Sequence, residues 1–372
     1  MKNLKDQSLK FLDLRQENKN KKLLFEAFNR VLSSSTYILG KEVEGFEKQF
    51  AKYLGVKYCI GVGNGLESIQ ISLMALGIGK EDEVITTPIS AVATTLAILA
   101  VGGKPVFVDV LDNGLINPDL IPSVITKKTK AILPVHLYGN PAQINKIKNI
   151  CKKYKLFLVE DAAQAHGSSF KDKKLGTFGN LGCFSFYPTK NLGALGDGGA
   201  IVTNNKNLAK ACYETRDYGQ KGKYNHVRFG LNSRLDTLQA SLLSVKLKNL
   251  DSINYKRRKL AQKYLKNLTN IENIQIVKPI DNSTPNYHLF VIKSKNRNKL
   301  QNFLAKKGIT TLIHYPRIIP DQPFLKKEYG KVFLPKARSF VKSILSLPLH
   351  PNLTITQVDY ICKNIKDFFI KT

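Results

Sequence analysis

The sequence predicts an α/β protein with a largely parallel sheet, followed by a smaller α+β unit. Three observations carry that expectation. Strand-like and helix-like runs alternate from residue 58 to about 203, the stretch from about 236 to 269 is helical throughout, and short strands mix with helices after about 270. At 372 residues, with 43% hydrophobic and 23% charged, the chain is long enough for one large domain and a smaller one. We place the boundary between 248 and 249: a large domain over 1–248 with N-terminal helices, and a small C-terminal domain over 249–372.

The elements follow in order. Val43, Phe46, Phe50, Tyr53 and Leu54 recur at helical spacing over 41–54, and the period stops at Gly55. Residues 58–62 form a short strand that enters Gly63-Asn64-Gly65, after which Leu66, Ile69, Leu73 and Leu76 mark one face of a helix. A strand is expected at 83–86, a buried helix at 90–101, and strands at 105–110 and from 130 to about 136. A helix at 142–154 precedes strands at 156–160, 182–187 and 199–203. One or two long helices fill 236–269, a strand falls at 288–292, and helices at 298–307 and 355–370 close the chain.

Lys and Arg number 58 against 28 Asp and Glu, a formal charge of +30. The basic residues are scattered through KNKK, KDKK, YKRRKL and KSKNRNK, and the chain is rich in Lys, Asn and Ile throughout. Such a charge suits an acidic small ligand as well as solubility, and no basic arm points to nucleic acid. The five cysteines are odd in number and form no CxxC pair, which fits a reducing cytoplasm rather than a disulfide framework or zinc site. The first residues lack an apolar core of signal-peptide length, and the most apolar stretch, 90–101, is too short to span a bilayer. The expectation is a cytoplasmic protein with no membrane partner. None of the six histidines pair at metal-ligand spacing, so no metal is expected.

Three segments could carry chemistry. Gly61-Val-Gly-Asn-Gly-Leu66 lies between a strand and a helix, where free backbone N–H groups and the helix dipole attract an anion; a tight turn without a ligand reads equally well. Its glycine spacing is not that of a dinucleotide fingerprint. Glu160-Asp161 ends a buried strand, the edge at which open α/β sheets bind ligands, although Asp161 could equally cap a turn. Lys190 stands five residues after Ser185 and just before a glycine cluster. A buried amine near a phosphate site and a strand-end carboxylate is what a pyridoxal phosphate (PLP) Schiff base requires.

The chain resembles the DegT/StrS family of nucleotide-sugar aminotransferases, PLP enzymes of fold type I (aspartate aminotransferase-like), and among them the sugar 3-aminotransferases. The resemblance runs over nearly the whole length. It rests on GVGNGL, PVHLYG (134–139), VEDAAQAHG (159–167), FSFYPTKNLGALGDGGAIVTNN (184–205), GLNSRLDTLQA (230–240), IHYP (313–316) and LSLPLHP (345–351). It implies a mostly parallel mixed sheet in the large domain. It also implies that Lys190 bonds PLP, that Asp161 pairs with the pyridine nitrogen, and that Gln164 lies near the phenolic oxygen. Ser185 and the N–H groups of Gly65 and Leu66 would hold the phosphate. Asn232 would reach the cofactor of the other subunit, making a homodimer with shared active sites. Tyr187, His314 and Tyr315 would line the substrate site, and His136 and His166 would sit near the cofactor.

Two departures from the family pattern stand out. Gly63-Asn64-Gly65-Leu66 replaces a Ser-Asn-Gly-Thr common in relatives, so backbone amides carry more of the phosphate. The segment after Thr87-Pro88 has no aromatic side chain to lie over the cofactor; in an ungapped alignment Val92 stands there. The implied reaction moves an amino group from L-glutamate to C3 of a dTDP-3-keto-6-deoxyhexose. The alternatives are a C4 aminotransferase acting on a UDP- or GDP-4-keto-6-deoxysugar, and a non-catalytic regulator on the same fold. Sugar dehydratases of this type replace the lysine with histidine, and Lys190 is present.

Overall fold

The computed structural model describes residues 9–14 and 21–370. Seven strands form the main sheet: β1 (Tyr58–Val62), β2 (Glu83–Thr86), β3 (Lys104–Phe107), β4 (Thr129–Leu133), β5 (Phe157–Asp161), β6 (Leu181–Ser185) and β7 (Gly199–Thr203). Their order is β1-β7-β6-β5-β4-β2-β3. β7 runs antiparallel to both neighbours, and the remaining pairs are parallel.

Helices α1 (Lys21–Ser34), α2 (Lys41–Leu54), α3 (Gly65–Ala75), α4 (Ala93–Ala100), α5 (Ile144–Tyr154), α6 (Lys206–Thr215) and α7 (Thr237–Leu247) accompany this sheet. Side chains of a strand alternate between faces, so each strand feeds two cores. Leu158 and Phe184 enter one with Phe46, Phe50 and Leu243; Val159 and Cys183 enter the other with Ile69, Val84 and Ile98. Burial on both faces is why β5 to β7 read as nearly continuous apolar runs.

The rest of the chain forms α8 (Leu250–Leu268), β8 (Gln275–Ile276), β9 (Phe290–Lys293), α9 (Arg297–Lys306), α10 (Pro323–Tyr329), α11 (Pro335–Ser343), β10 (Ile344–Leu347) and α12 (Ile355–Ile370). β8, β9 and β10 make an antiparallel sheet in that order. Tyr264, Phe290, Leu304 and Ile361 build its core together with Leu9. The start of the chain therefore packs on the C-terminal unit: Leu9 N–H donates to the Gly308 carbonyl at 2.7 Å, and Thr310 N–H to the Leu9 carbonyl at 3.0 Å. A further core, with Phe107, Val135 and Tyr138 facing Leu289, Phe340 and Ile344, is shared by both units.

Several boundaries differ from expectation for local reasons. The strand expected from 130 to 136 stops at Leu133, before Pro134, which has no N–H for the ladder. The one at 182–187 stops at Ser185, and the one at 105–110 at Phe107. The helix expected over 90–101 starts at Ala93, leaving 87–92 as a loop. The 236–269 stretch is two helices, α7 and α8. The sequence reading did not mark β8, β10, α6, α10 and α11. Among the described residues no helix is long and apolar enough to cross a membrane, and no group of His, Cys, Asp or Glu is placed to hold a metal ion. All five cysteines are buried and free.

Candidate active site

β1, β2, β4, β5 and β6 all point the same way, so their C-terminal ends lie along one edge of the sheet, where open α/β sheets bind ligands. β7 begins at that edge, since Ser185 and Val62 both pair with Gly199. The whole 186–198 connection, with Lys190, is therefore held there.

Asp161 ends β5 and is buried. Its Oδ2 accepts from Thr94 Oγ1 at 2.8 Å and its Oδ1 from Ala163 N–H at 3.1 Å. Ser90 Oγ lies 2.9 Å from Thr94 Oγ1, whose proton is already given to Asp161, so Ser90 is the donor of that pair. Burial raises the Asp161 carboxyl above its usual value; Thr94, Ala163 and then the Lys190 charge act against that rise. Lys190 shows the matching effect. Burial lowers its amine to about 8, and the Asp161 carboxylate opposes the shift.

Three histidines feel the charge of this amine and all are held neutral. Burial, and then the Lys190 charge, push His166 down to about 3, His314 to about 4 and His288 well below its usual value. The tautomer of His288 follows from its neighbours. Asn191 Nδ2 donates to Asn254 Oδ1 at 2.9 Å and to the Asn286 carbonyl at 3.2 Å, so Asn191 Oδ1 must accept from His288 Nδ1–H at 3.1 Å. A cavity of about 410 Å3 opens beside Thr189, between His288, His314 and residues 10–12.

Gln164 is buried, its Oε1 accepting from Tyr138 N–H at 2.7 Å and its Nε2 donating to Tyr315 Oη at 3.2 Å. Burial, then the Asp161 charge, push the Tyr315 hydroxyl up to about 12, so it keeps its proton at neutral pH. His136 turns away from this group. Its Nε2 lies 2.9 Å from Glu160 Oε2, and consecutive strand residues face opposite sides, so Glu160 and Asp161 point apart.

An anion cradle lies at the start of α3. Asn64 caps the helix by accepting from Glu67 N–H at 2.9 Å, and Ser68 N–H donates to the Asn64 carbonyl. The N–H groups of Gly65 and Leu66 remain at the positive end of the helix, without an intrahelical acceptor. A Cβ at Gly65 would stand 2.6 Å from Ser185 Cβ, so only glycine leaves room between α3 and the end of β6. Ser185 Oγ accepts from Tyr187 N–H at 3.3 Å and keeps its own proton for a ligand. Tyr187 is exposed, while its carbonyl accepts from Lys190 N–H at 2.8 Å. Asn232 stands exposed on the connection between α6 and α7, paired through its backbone with Asp217. Val92 is half-buried at the start of α4, against the shared core.

These residues fit PLP. The site offers a half-buried lysine with a lowered amine pKa, a buried carboxylate with acceptor capacity to spare, and a helix N-terminus that a Cβ would fill. The sequence gives no role to Thr94, Tyr138 or His288. All three lie in segments the sequence does mark, but on separate elements and at no fixed spacing from Lys190 or Asp161, while Glu160 is marked only as the neighbour of Asp161 at the end of β5.

Fold and site together define a PLP-dependent aminotransferase of fold type I. The chain belongs to the DegT/DnrJ/EryC1/StrS aminotransferase family, whose sequence model matches residues 18–366. It is 43% identical, over 96% of this chain and 99% of the relative, to a dTDP-3-amino-3,6-dideoxy-alpha-D-galactopyranose transaminase of Aneurinibacillus thermoaerophilus. It is 41% identical, over 88% of this chain and 87% of the relative, to a dTDP-3-amino-3,4,6-trideoxy-alpha-D-glucose transaminase of Streptomyces venezuelae. The crystal structure of S. venezuelae DesV in complex with a ketimine intermediate superposes with a TM-score of 0.95 at 39% identity, covering 97% of this chain and 98% of that one.

Proposed function

We propose that this enzyme transfers an amino group from L-glutamate to C3 of a dTDP-3-keto-6-deoxyhexose, as a cytoplasmic homodimer with shared active sites. The observation that carries the reading is the half-buried Lys190 and the buried Asp161, each acting on the other's charge at the sheet edge, in a chain more than 40% identical to two transaminases named for dTDP-3-amino sugars. When bound, PLP supplies an electrophilic carbon for the amine and a ring that takes up the electron pair released at the donor's α-carbon.

This chain's residues do the rest. Lys190 Nζ would hold the cofactor and would be the base that moves the proton at the donor's α-carbon. A lowered pKa makes its neutral form available near pH 8. Asp161 holds the proton on the pyridine nitrogen, and Thr94 and Ala163 fix the carboxylate in place. Gln164 presents its amide beside the phenolic oxygen. Ser185 Oγ and the N–H groups of Gly65 and Leu66 take the phosphate. Tyr187, His314 and Tyr315 line the ketosugar's place.

Exposed apolar surface supports the dimer. Phe25 is 65% exposed on α1, and Phe229 is 80% exposed on the same connection that carries Asn232. In this reading a second copy covers these side chains, and Asn232 serves the partner's cofactor phosphate. The domain division at 248/249 falls between α7, which enters the core under the main sheet, and α8, which touches that core through Leu250 and enters the C-terminal one from Leu260 onward.

The visible spectrum of the purified enzyme tests the function. The cofactor's absorbance band should fade on addition of L-glutamate and return on addition of a dTDP-3-keto-6-deoxyhexose. Return only with a UDP- or GDP-4-keto-6-deoxysugar would move the reaction to C4. A protein that takes up no PLP would leave the regulator reading.

A further inference from the structure

Tyr138 sits at the centre of the hydrogen bonds that join the two units at the site. It is fully buried, with a left-handed backbone (φ 61°) that an ordinary side chain rarely adopts. All three of its polar groups are engaged. Its N–H donates to Gln164 Oε1 at 2.7 Å, its carbonyl accepts from Leu289 N–H at 3.4 Å, and its hydroxyl donates to the His314 carbonyl. Gln164 Nε2 in turn donates to Tyr315 Oη at 3.2 Å, which closes a ring of contacts through Tyr138, Gln164, Tyr315 and His314.

The turn that carries Tyr138 is itself anchored from behind. Ala142 N–H donates to His136 Nδ1 at 3.1 Å, so the neutral ring keeps its proton on Nε2 and gives it to Glu160 Oε2 at 2.9 Å. Glu160 also accepts from the N–H groups of Gly176, Phe178 and Gly179 at 2.9, 2.6 and 2.7 Å. The turn is thus fixed to β5 one residue before Asp161, and Tyr138 carries that fixed point across to the 313–316 segment.

We propose that Tyr138 is a positioning residue: its hydroxyl holds the 313–316 segment against Gln164, and so keeps His314 and Tyr315 in the arrangement that receives the ketosugar. The inference rests on the reading above in one respect, that 313–316 lines the substrate site. The cofactor itself is reached through the Tyr138 backbone N–H, which a side-chain substitution leaves in place. Losing the hydroxyl alone should therefore separate substrate binding from cofactor binding.

Tyr138→Phe in the PLP-loaded enzyme tests this. Expected are a KM for the dTDP-3-keto-6-deoxyhexose raised tenfold or more, kcat within threefold, a cofactor Kd within twofold, and faster amide exchange over 312–315 with 160–166 unchanged. An unchanged KM, or a cofactor Kd that worsens as much as the KM, would overturn the proposal. The first outcome means that the contact positions nothing the substrate uses; the second means general loosening of the site. Unchanged exchange over 312–315 would overturn it without reference to any substrate. That measurement decides the coupling even if the wild-type enzyme turns over no ketosugar, which would be a failure of the proposed function instead.

Discussion

At the scale of single residues, the site consists of groups held in unfavourable states. Burial works against the ammonium of Lys190 and against the carboxylate of Asp161, and each relieves the other only in part. A lysine whose pKa falls from 10.5 to about 8 on folding binds fewer protons in the folded chain between those values, so its contribution to stability improves as pH rises from 8 to 10.5. Below pH 8 the full burden remains, on the order of 3 kcal/mol. Cofactor-free Lys190→Met should therefore be more stable than wild type at pH 7, by roughly 1–3 kcal/mol because Asp161 loses its cation. The gap should narrow towards pH 10, as read from urea unfolding at the two pH values. For Asp161→Asn the expected outcome is turnover lowered by orders of magnitude, measured as kcat with saturating PLP, beside raised stability of the cofactor-free chain at neutral pH. A near-normal rate would remove Asp161 from the role proposed for it.

At the scale of elements, the site depends on how closely α3 approaches the end of β6. Gly65→Ala keeps helix propensity but places a methyl 2.6 Å from Ser185 Cβ, so one of the two must move. We expect PLP affinity, titrated by absorbance, to fall about tenfold, with a loss of roughly 1–3 kcal/mol in stability from the forced contact. This is also the scale at which the sequence is most legible. The strand-to-helix junction at Gly65 leaves a local signature, a strand-like run, a glycine turn and then helical spacing, while Asp161 is marked by a carboxylate ending a buried apolar strand and Lys190 by the glycine cluster that follows it. Thr94 and Tyr138 leave none. Thr94 is one hydroxyl on an apolar helix, and its contact with Asp161 spans 67 residues. Tyr138 reads as another aromatic next to a glycine, and its hydroxyl meets a carbonyl 176 residues away. The short elements of the C-terminal unit were obscured for a related reason: β10 is four residues long and buried throughout, so it shows no alternation to mark it.

At the scale of the whole molecule, the proposed sharing of sites between subunits makes a prediction that no single variant can. If Asn232 serves the partner's cofactor, a heterodimer of Lys190→Ala and Asn232→Ala subunits has one site with both defects and one with neither. Mixing and re-equilibrating two feeble homodimers should then restore activity towards one quarter of wild type. If Asn232 serves its own subunit, the mixture stays feeble. The sheet carries a further consequence through its single reversed strand. Because β7 starts where β6 ends, the chain visits the reactive edge and turns back without crossing the sheet. The connections at the far edge, such as 76–82, 101–103 and 154–156, join elements without touching the chemistry. They are natural places to attach a fluorophore, a surface tether or a fused domain, and a label at the Gly77–Lys80 turn should leave catalysis as it was.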